Sequence, residues 1–539
     1  MKPEVDLREM SGRMRQSITG WILMACLGAG VMVLPAQASD LLRVKTDHGK
    51  IAGKMSTDGQ VREFLGIPYA AAPVGKLRWQ PPLDAKKWHG VRQATSFGSR
   101  CMQAPIYPDM VFSDSGQSED CLTLNVWTPA KKKNAKLPVM VWIYGGGYVT
   151  GSASEPRQDG EHLAHKGVLI VSMNYRLGIF GFLATHALAQ ESENHAAGNY
   201  GLMDQAAALQ WVQNNIAAFG GDPKNVTIFG ESAGSISVSA QMASPLAKGL
   251  FARAIGESGG YAAVQGYPPL SIREKQDESF VRAAFGTDKL AALRALSAED
   301  ILKGASSKAS GIVPHFWPDV DGYFLPESVG SIYAAGKQAH VPLLAGWNKD
   351  EGSAMVIYSP HKPTVASLQA MAQQQFGAQS DAFLHAYAAS DDAADLRVAE
   401  DFAGDRFIAY STWAWLEAQV KTGDAPVYRY HFDLGSPGDP NHPAGIGAFH
   451  SDDIEYVFGN LDARKGAKWR PEDRQLSEQM QSYWTNFAKT GNPNGPGLPN
   501  WPVYNAAGSW QVLHLDATTQ ARPDAHRDRY LFLQKAWSK

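Results

Sequence analysis

The stretch "VTIFGESAGSISVSAQMAS" (226–244) limits what this chain can fold into more than any other. An apolar, β-rich run stops at a turn in which Gly230, Ala233 and Gly234 surround Ser232. A helix-compatible run follows until Ser244-Pro245 ends it. Similar apolar runs recur at 139–143 ("VMVWI"), 168–173 ("VLIVSM") and 342–346 ("PLLAG"). Helical patterns lie between some of them. The clearest is "DQAAALQWVQNNIAAF", where Leu209, Val212, Ile216 and Phe219 share one face. Strands alternating with helices predict an α/β fold with a mostly parallel central sheet flanked by helices. Asp58-Gly59, between two β-like runs, predicts a hairpin near the start. The stretches at roughly 262–340 and 355–425 read as helical, loop-rich insertions over one end of the sheet, not as separate domains.

The first 38 residues read as a signal peptide and 39–539 as the folded domain. Lys2, Arg8, Arg13 and Arg15 make a basic start, "WILMACLGAGVMVL" an apolar run, and Ala36 and Ala38 an A-x-A cleavage site. That apolar run of 14 residues is short for a spanning helix, which needs about 20. The expectation is an exported protein, periplasmic or secreted, with no stable membrane span after cleavage. Cys26 would be removed, leaving Cys101 and Cys121, which in an oxidising compartment are expected to form a disulfide. A formal net charge of −3 without basic clusters gives no reason to expect a nucleic-acid partner.

Gly-x-Ser-x-Gly is the pattern of a nucleophile elbow, a serine on a sharp strand-to-helix turn, and the chain contains it twice, as "GESAG" (230–234) and "GESGG" (256–260). Ser232 has the required strand before it and helix after it. Ser258 is followed by Gly259-Gly260 and soon by Pro268-Pro269, a poor helix. Longer blocks decide the matter. "FGGDPKNVTIFGESAG" (219–234), "EDCLTLNVWTP" (119–129), "VMVWIYGGGYVTG" (139–151), "NYRLGIFGFL" (174–183) and "GNYGLMDQAAALQWVQNNI" (198–216) resemble, in order, the type-B carboxylesterases. These are the carboxylesterases and cholinesterases of the α/β-hydrolase fold.

A serine hydroxyl is a poor nucleophile until a base takes its proton and an acid orients that base. In α/β-hydrolases these follow in the order Ser, acid, His. The resemblance implies Ser232 as nucleophile, Glu351 of "KDEG" as acid, with Asp350 its neighbouring competitor, and His450 of "GAFHSDDIEYVFG" as base. His442 lies nearby but in no such block. The oxyanion hole is expected from the backbone N–H groups of Gly146, Gly147 and Ala233. Ser258 is expected behind the site, supporting Glu351.

The resemblance implies a serine hydrolase acting on a small-molecule ester through an acyl-enzyme, with no cofactor and no metal. The segment between Cys101 and Cys121 carries Tyr107 and Phe112 but no tryptophan, which disfavours a choline-ester specialist. Two alternatives stand beside this reading. One is an amidase or peptidase using the same triad. The other is an adhesion protein of the same fold, against which the presence of all three triad residues argues.

Overall fold

The computed structural model describes residues 41–261, 266–306, 316–359, 364–387, 392–442 and 445–537. The signal segment lies outside them, as do parts of both expected insertions. Among the described residues an eleven-stranded sheet is the centre of the unit. Its strands are β1 (Lys54–Met55), β2 (Arg62–Pro68), β3 (Thr123–Thr128), β4 (Leu137–Ile143), β5 (Leu169–Met173), β6 (Gly221–Glu231), β7 (Arg253–Glu257), β8 (Leu343–Asn348), β9 (Val427–Phe432), β10 (Gln511–Leu515) and β11 (Gln520–Pro523). They lie side by side in the order β11-β10-β9-β8-β7-β6-β4-β5-β3-β2-β1. From β10 across to β5 every neighbour is parallel, and antiparallel pairs occur only towards the two edges. Asp58-Gly59 joins the hairpin β1–β2 as expected.

Central parallel strands are covered on both faces and so read as unbroken apolar runs. Val139 to Ile143 in β4 and Leu169 to Val171 in β5 are fully buried. Helix α1 (Tyr200–Asn215) supplies one cover, with Leu209 and Val212 fully buried and Ile216 and Phe219 equally so in the 3₁₀ turn that continues it. Helix α2 (Ala233–Ala243) starts directly at the end of β6 and is buried along its whole length. Its Ala, Gly and Ser side chains suit that position, because a side chain at Gly234 would collide with the carbonyl of Ile143 in β4.

The stretch read as the first insertion contains α3 (Leu270–Phe285), α4 (Ala298–Ala305) and α5 (Val329–Ala334), and that read as the second contains α6 (Asp392–Gly404) and α7 (Tyr410–Thr422). A single π-type turn, Asp405–Ala409, links α6 to α7. Towards the C-terminus α8 (Pro471–Thr490) packs against β4 and β6, and α9 (Arg527–Trp537) against α7. Leu41–Lys539 forms one unit. None of the described helices is long and apolar enough to cross a membrane.

Candidate active site

In an open parallel sheet the carboxyl ends of the strands are where loops converge into a site. Three adjacent strands end there with the residues singled out above. Ser232 follows β6, Ser258 follows β7, and Glu351 comes three residues after β8. Glu231 pairs in register with Glu257, so the two Gly-x-Ser-x-Gly motifs stand side by side. Both serines have positive φ, 55° and 49°. The Ser232 N–H donates to the Glu257 carbonyl at 2.9 Å, and the Ser258 N–H to the Gly346 carbonyl at 2.9 Å. What separates them is the helix. Ser232 is the residue before α2, and its carbonyl accepts the Ile236 N–H at 2.9 Å, whereas no helix begins at Ser258.

His450 lies in the segment after β9. Its Nε2 is 2.9 Å from Ser232 Oγ and its Nδ1 is 2.6 Å from Glu351 Oε2. The other carboxylate oxygen of Glu351 accepts from Ser258 Oγ at 2.6 Å and from the Asn348 N–H at 2.9 Å. Asp350 points elsewhere: it accepts the Ala448 N–H at 2.8 Å and pairs with Arg397 at 2.6 Å. The two acids thus grip one loop at two places, Glu351 on the imidazole and Asp350 on the backbone two residues before it. Asn348 fastens the same loop through the Phe449 carbonyl, at 2.8 Å, and Asp453, at 3.1 Å. His442 remains apart, stacked on Phe449 and bonded to Asp439.

The glycine loop after β4 approaches from the other side. Gly145 leaves no room for a side chain, because a Cβ there would lie 2.7 Å from the Glu231 carbonyl and 2.9 Å from Ser232 Cβ. Gly146 and Gly147 have φ of 95° and 63°, and a Cβ on Gly146 would strike the Thr150 carbonyl. Ala233 is the first residue of α2, so its N–H has no partner within the helix. Cys101 and Cys121 are bonded as a disulfide. The segment between them is tied to the glycine loop through Gln103, whose amide accepts from Thr150 Oγ1 at 2.6 Å and donates to the Gly151 carbonyl at 2.8 Å.

A cavity of about 460 Å³ opens beside Gly147. Tyr107 of the disulfide-closed segment and Leu302, Phe316 and Trp317 of the first insertion contribute to its wall. From the second insertion, Phe407 in the π-type turn meets the His450 ring edge-on at 4.8 Å between centroids.

Two groups near the imidazole escaped the sequence reading. Glu231, the variable residue of the motif, has its carboxylate 3.4 Å from His450 Nε2. Burial pushes its carboxyl up to about 8, against the pull of His450. Asp453 is likewise raised, to about 6, by burial. Burial weakens the basicity of His450, but Glu351 and Glu231 more than offset this and lift it from 6.5 to about 9. Neither Glu231 nor Asp453 carries a sequence signal beyond its place next to a motif residue.

A mostly parallel sheet with a serine, histidine and acid converging at its carboxyl edge is the architecture of an α/β-hydrolase. The family model of the carboxylesterases matches residues 40–532, and the chain belongs to that family. It is 37% identical to the fumonisin B1 esterase of Sphingopyxis macrogoltabida, covering 94% of this chain and 92% of that one. It is also 37% identical to the para-nitrobenzyl esterase of Bacillus subtilis, over 91% and 99% of the two chains. To human cocaine esterase it is 35% identical, over 94% and 93%. A solved structure of a PNB esterase superposes with a TM-score of 0.78 at 34% identity, covering 91% of this chain and 98% of that one. The chain is accordingly a carboxylesterase, an enzyme that hydrolyses carboxylic esters.

Proposed function

We propose that Ser232 is the nucleophile, His450 the general base and Glu351 the orienting acid of this esterase. The observation that carries the reading is the continuous line from Ser232 Oγ through both nitrogens of His450 to Glu351. His450 Nε2 takes the serine proton as Oγ attacks the ester carbonyl. Glu351 keeps the other nitrogen protonated and stabilises the imidazolium that forms. The developing oxyanion is received by the N–H groups of Gly146, Gly147 and Ala233. His450 then returns the proton to the departing alcohol, and a water activated in the same way releases the acid from Ser232. Ser258 and the Asn348 N–H hold Glu351 in place as hydrogen-bond donors.

The substrate on this reading is a small-molecule ester whose body enters the cavity beside Gly147. The relatives' names point to fumonisin B1, a para-nitrobenzyl ester and cocaine, so this wall, to which the disulfide-closed segment and the first insertion both contribute, would set the preference. Residues 39–539 are the working domain, exported after cleavage behind Ala38. The buried disulfide supports export, since such bonds persist in oxidising compartments.

A fluorophosphonate probe with peptide mapping tests the assignment. The adduct is expected on Ser232 alone. An adduct on Ser258, or none in active protein, overturns it. N-terminal sequencing of exported protein, expected to begin at Ser39, tests the cleavage site.

A further inference from the structure

Away from the triad, the sheet edge gathers a second set of chemically able side chains. His431 of β9 and His514 of β10 are register partners on adjacent parallel strands. Asp433 follows His431 by two residues and so returns to the same face. Its carboxylate reaches both rings, Oδ1 lying 2.8 Å from His431 Nδ1 and Oδ2 lying 2.6 Å from His514 Nδ1. One donor atom from each of the three lies within 4.8 Å of the other two. The side chains are 12%, 17% and 22% exposed for His431, Asp433 and His514, enough for a small ion or water to arrive from one side.

We propose that His431, Asp433 and His514 form a binding site for one divalent transition-metal ion of the zinc class. Two imidazole nitrogens and one carboxylate oxygen are a borderline-soft donor set, the kind that suits zinc, cobalt or nickel in preference to calcium or magnesium. Zinc bound at about 2.0–2.1 Å to such donors needs them roughly 3.3 Å apart, so the three ligand atoms, which already lie within 4.8 Å of one another, have only to draw together around the ion. Both histidines stand on paired strands, so little conformational entropy is lost in assembling the ligands. Binding is a coordination step with no change of oxidation state. Each ring shifts to the tautomer that carries its proton on Nε2, which frees the Nδ1 lone pair for the ion, and water completes the shell.

The ion would not take part in ester hydrolysis. Trp347 of β8 meets His431 edge-on at 6.1 Å between ring centroids. The next residue, Asn348, points to the opposite face, where it holds the His450 loop. The role left to the ion is to clamp β10 to β9 near the sheet's edge. A second cluster, Asp58, Glu161 and His165, also brings three donors together but is more open, with His165 31% and Asp58 38% exposed, and it serves as an internal control.

The test uses untagged full-length mature protein stripped with a chelator and titrated with Co²⁺ and with Zn²⁺. One equivalent of Co²⁺ per chain is expected to give visible absorption, and to quench tryptophan fluorescence by an amount that Trp347→Phe removes. His431→Gln and His514→Gln should each abolish stoichiometric binding while esterase activity stays within twofold, which also reports that they fold. His165→Gln should bind as the wild type does. Absence of stoichiometric binding in the wild type overturns the proposal. So does binding that survives both His431→Gln and His514→Gln, or that disappears with His165→Gln.

Discussion

Ser232 and Ser258 share motif, strand end and unusual backbone, yet their surroundings assign them different tasks. Only Ser232 Oγ meets an imidazole, while Ser258 Oγ is spent on the Glu351 carboxylate. Ser232→Ala is therefore expected to leave no measurable turnover, by analogy with the about 10⁶-fold loss when a triad serine is removed. Ser258→Ala withdraws one donor from a buried carboxylate, at a cost of about 1–3 kcal/mol. It should fold, label with the fluorophosphonate and retain reduced activity. An inactive Ser258→Ala beside an active Ser232→Ala in an esterase assay would reverse the two roles. The same scale governs pH dependence. His450 must be neutral to accept a proton, and its neighbours raise its affinity for one. The acid limb of kcat/KM should accordingly lie above the 6.5 of an ordinary histidine, with activity rising as pH rises through it. Glu231→Gln removes one of the two carboxylates responsible and should move that limb to lower pH in a rate–pH profile. An unmoved limb, or one moved upward, would mean that Glu231 does not act on His450.

At the scale of elements, the disulfide-closed segment is a brace for the glycine loop as well as part of the cavity wall. Gln103 bonds to Thr150 and Gly151, and Asp114 accepts from Ser152 and Ser154, so one segment holds the strand exit that carries Gly146 and Gly147. Cross-linking a loop of this size is worth roughly 3 kcal/mol in the chain-entropy picture. Replacing Cys101 and Cys121 by alanine should lower the melting temperature and raise KM more than it lowers kcat, since neither sulfur touches the reacting bond. Thiol titration of the denatured, unreduced mature protein should find no free thiol. Two per chain would refute the bridge in solution.

For the whole molecule, the buried acids set how stability varies with pH. Burial raises Glu231 to about 8, and Glu155 and Asp277 each to about 7. The folded protein thus keeps protons on them that the unfolded chain releases near 4, so stability falls as pH rises from there towards 8. His450 adds to the same trend: its raised value contributes stability that is fully present below 6.5 and lost as pH rises to about 9. Calorimetry between pH 5 and 9 should show a declining melting temperature. A rise across that window would mean that these carboxyls are ionised in the folded state.

Local chemistry made much of this legible beforehand. The parallel sheet was readable because fully buried strands must be apolar runs, the Ser232 turn because a helix must follow it, and the disulfide because Cys101 and Cys121 are the two cysteines outside the expected signal peptide. The choice between Asp350 and Glu351 was not readable. Both are acids on one turn, and which one meets the imidazole depends on where the His450 loop, about a hundred residues away, comes to rest. Glu231 was hidden for a related reason: its importance comes from burial against His450, which a motif position does not record. The pair His431 and His514 is the extreme case, because only the register of β9 with β10 makes neighbours of residues that far apart in the chain. Sequence by itself determined the element types, the strand–turn–helix setting of Ser232 and the family, all of which rest on short-range patterns. Tertiary structure decided which acid meets the imidazole, which groups are buried beside it and which histidines stand side by side, because those follow from strand order and burial.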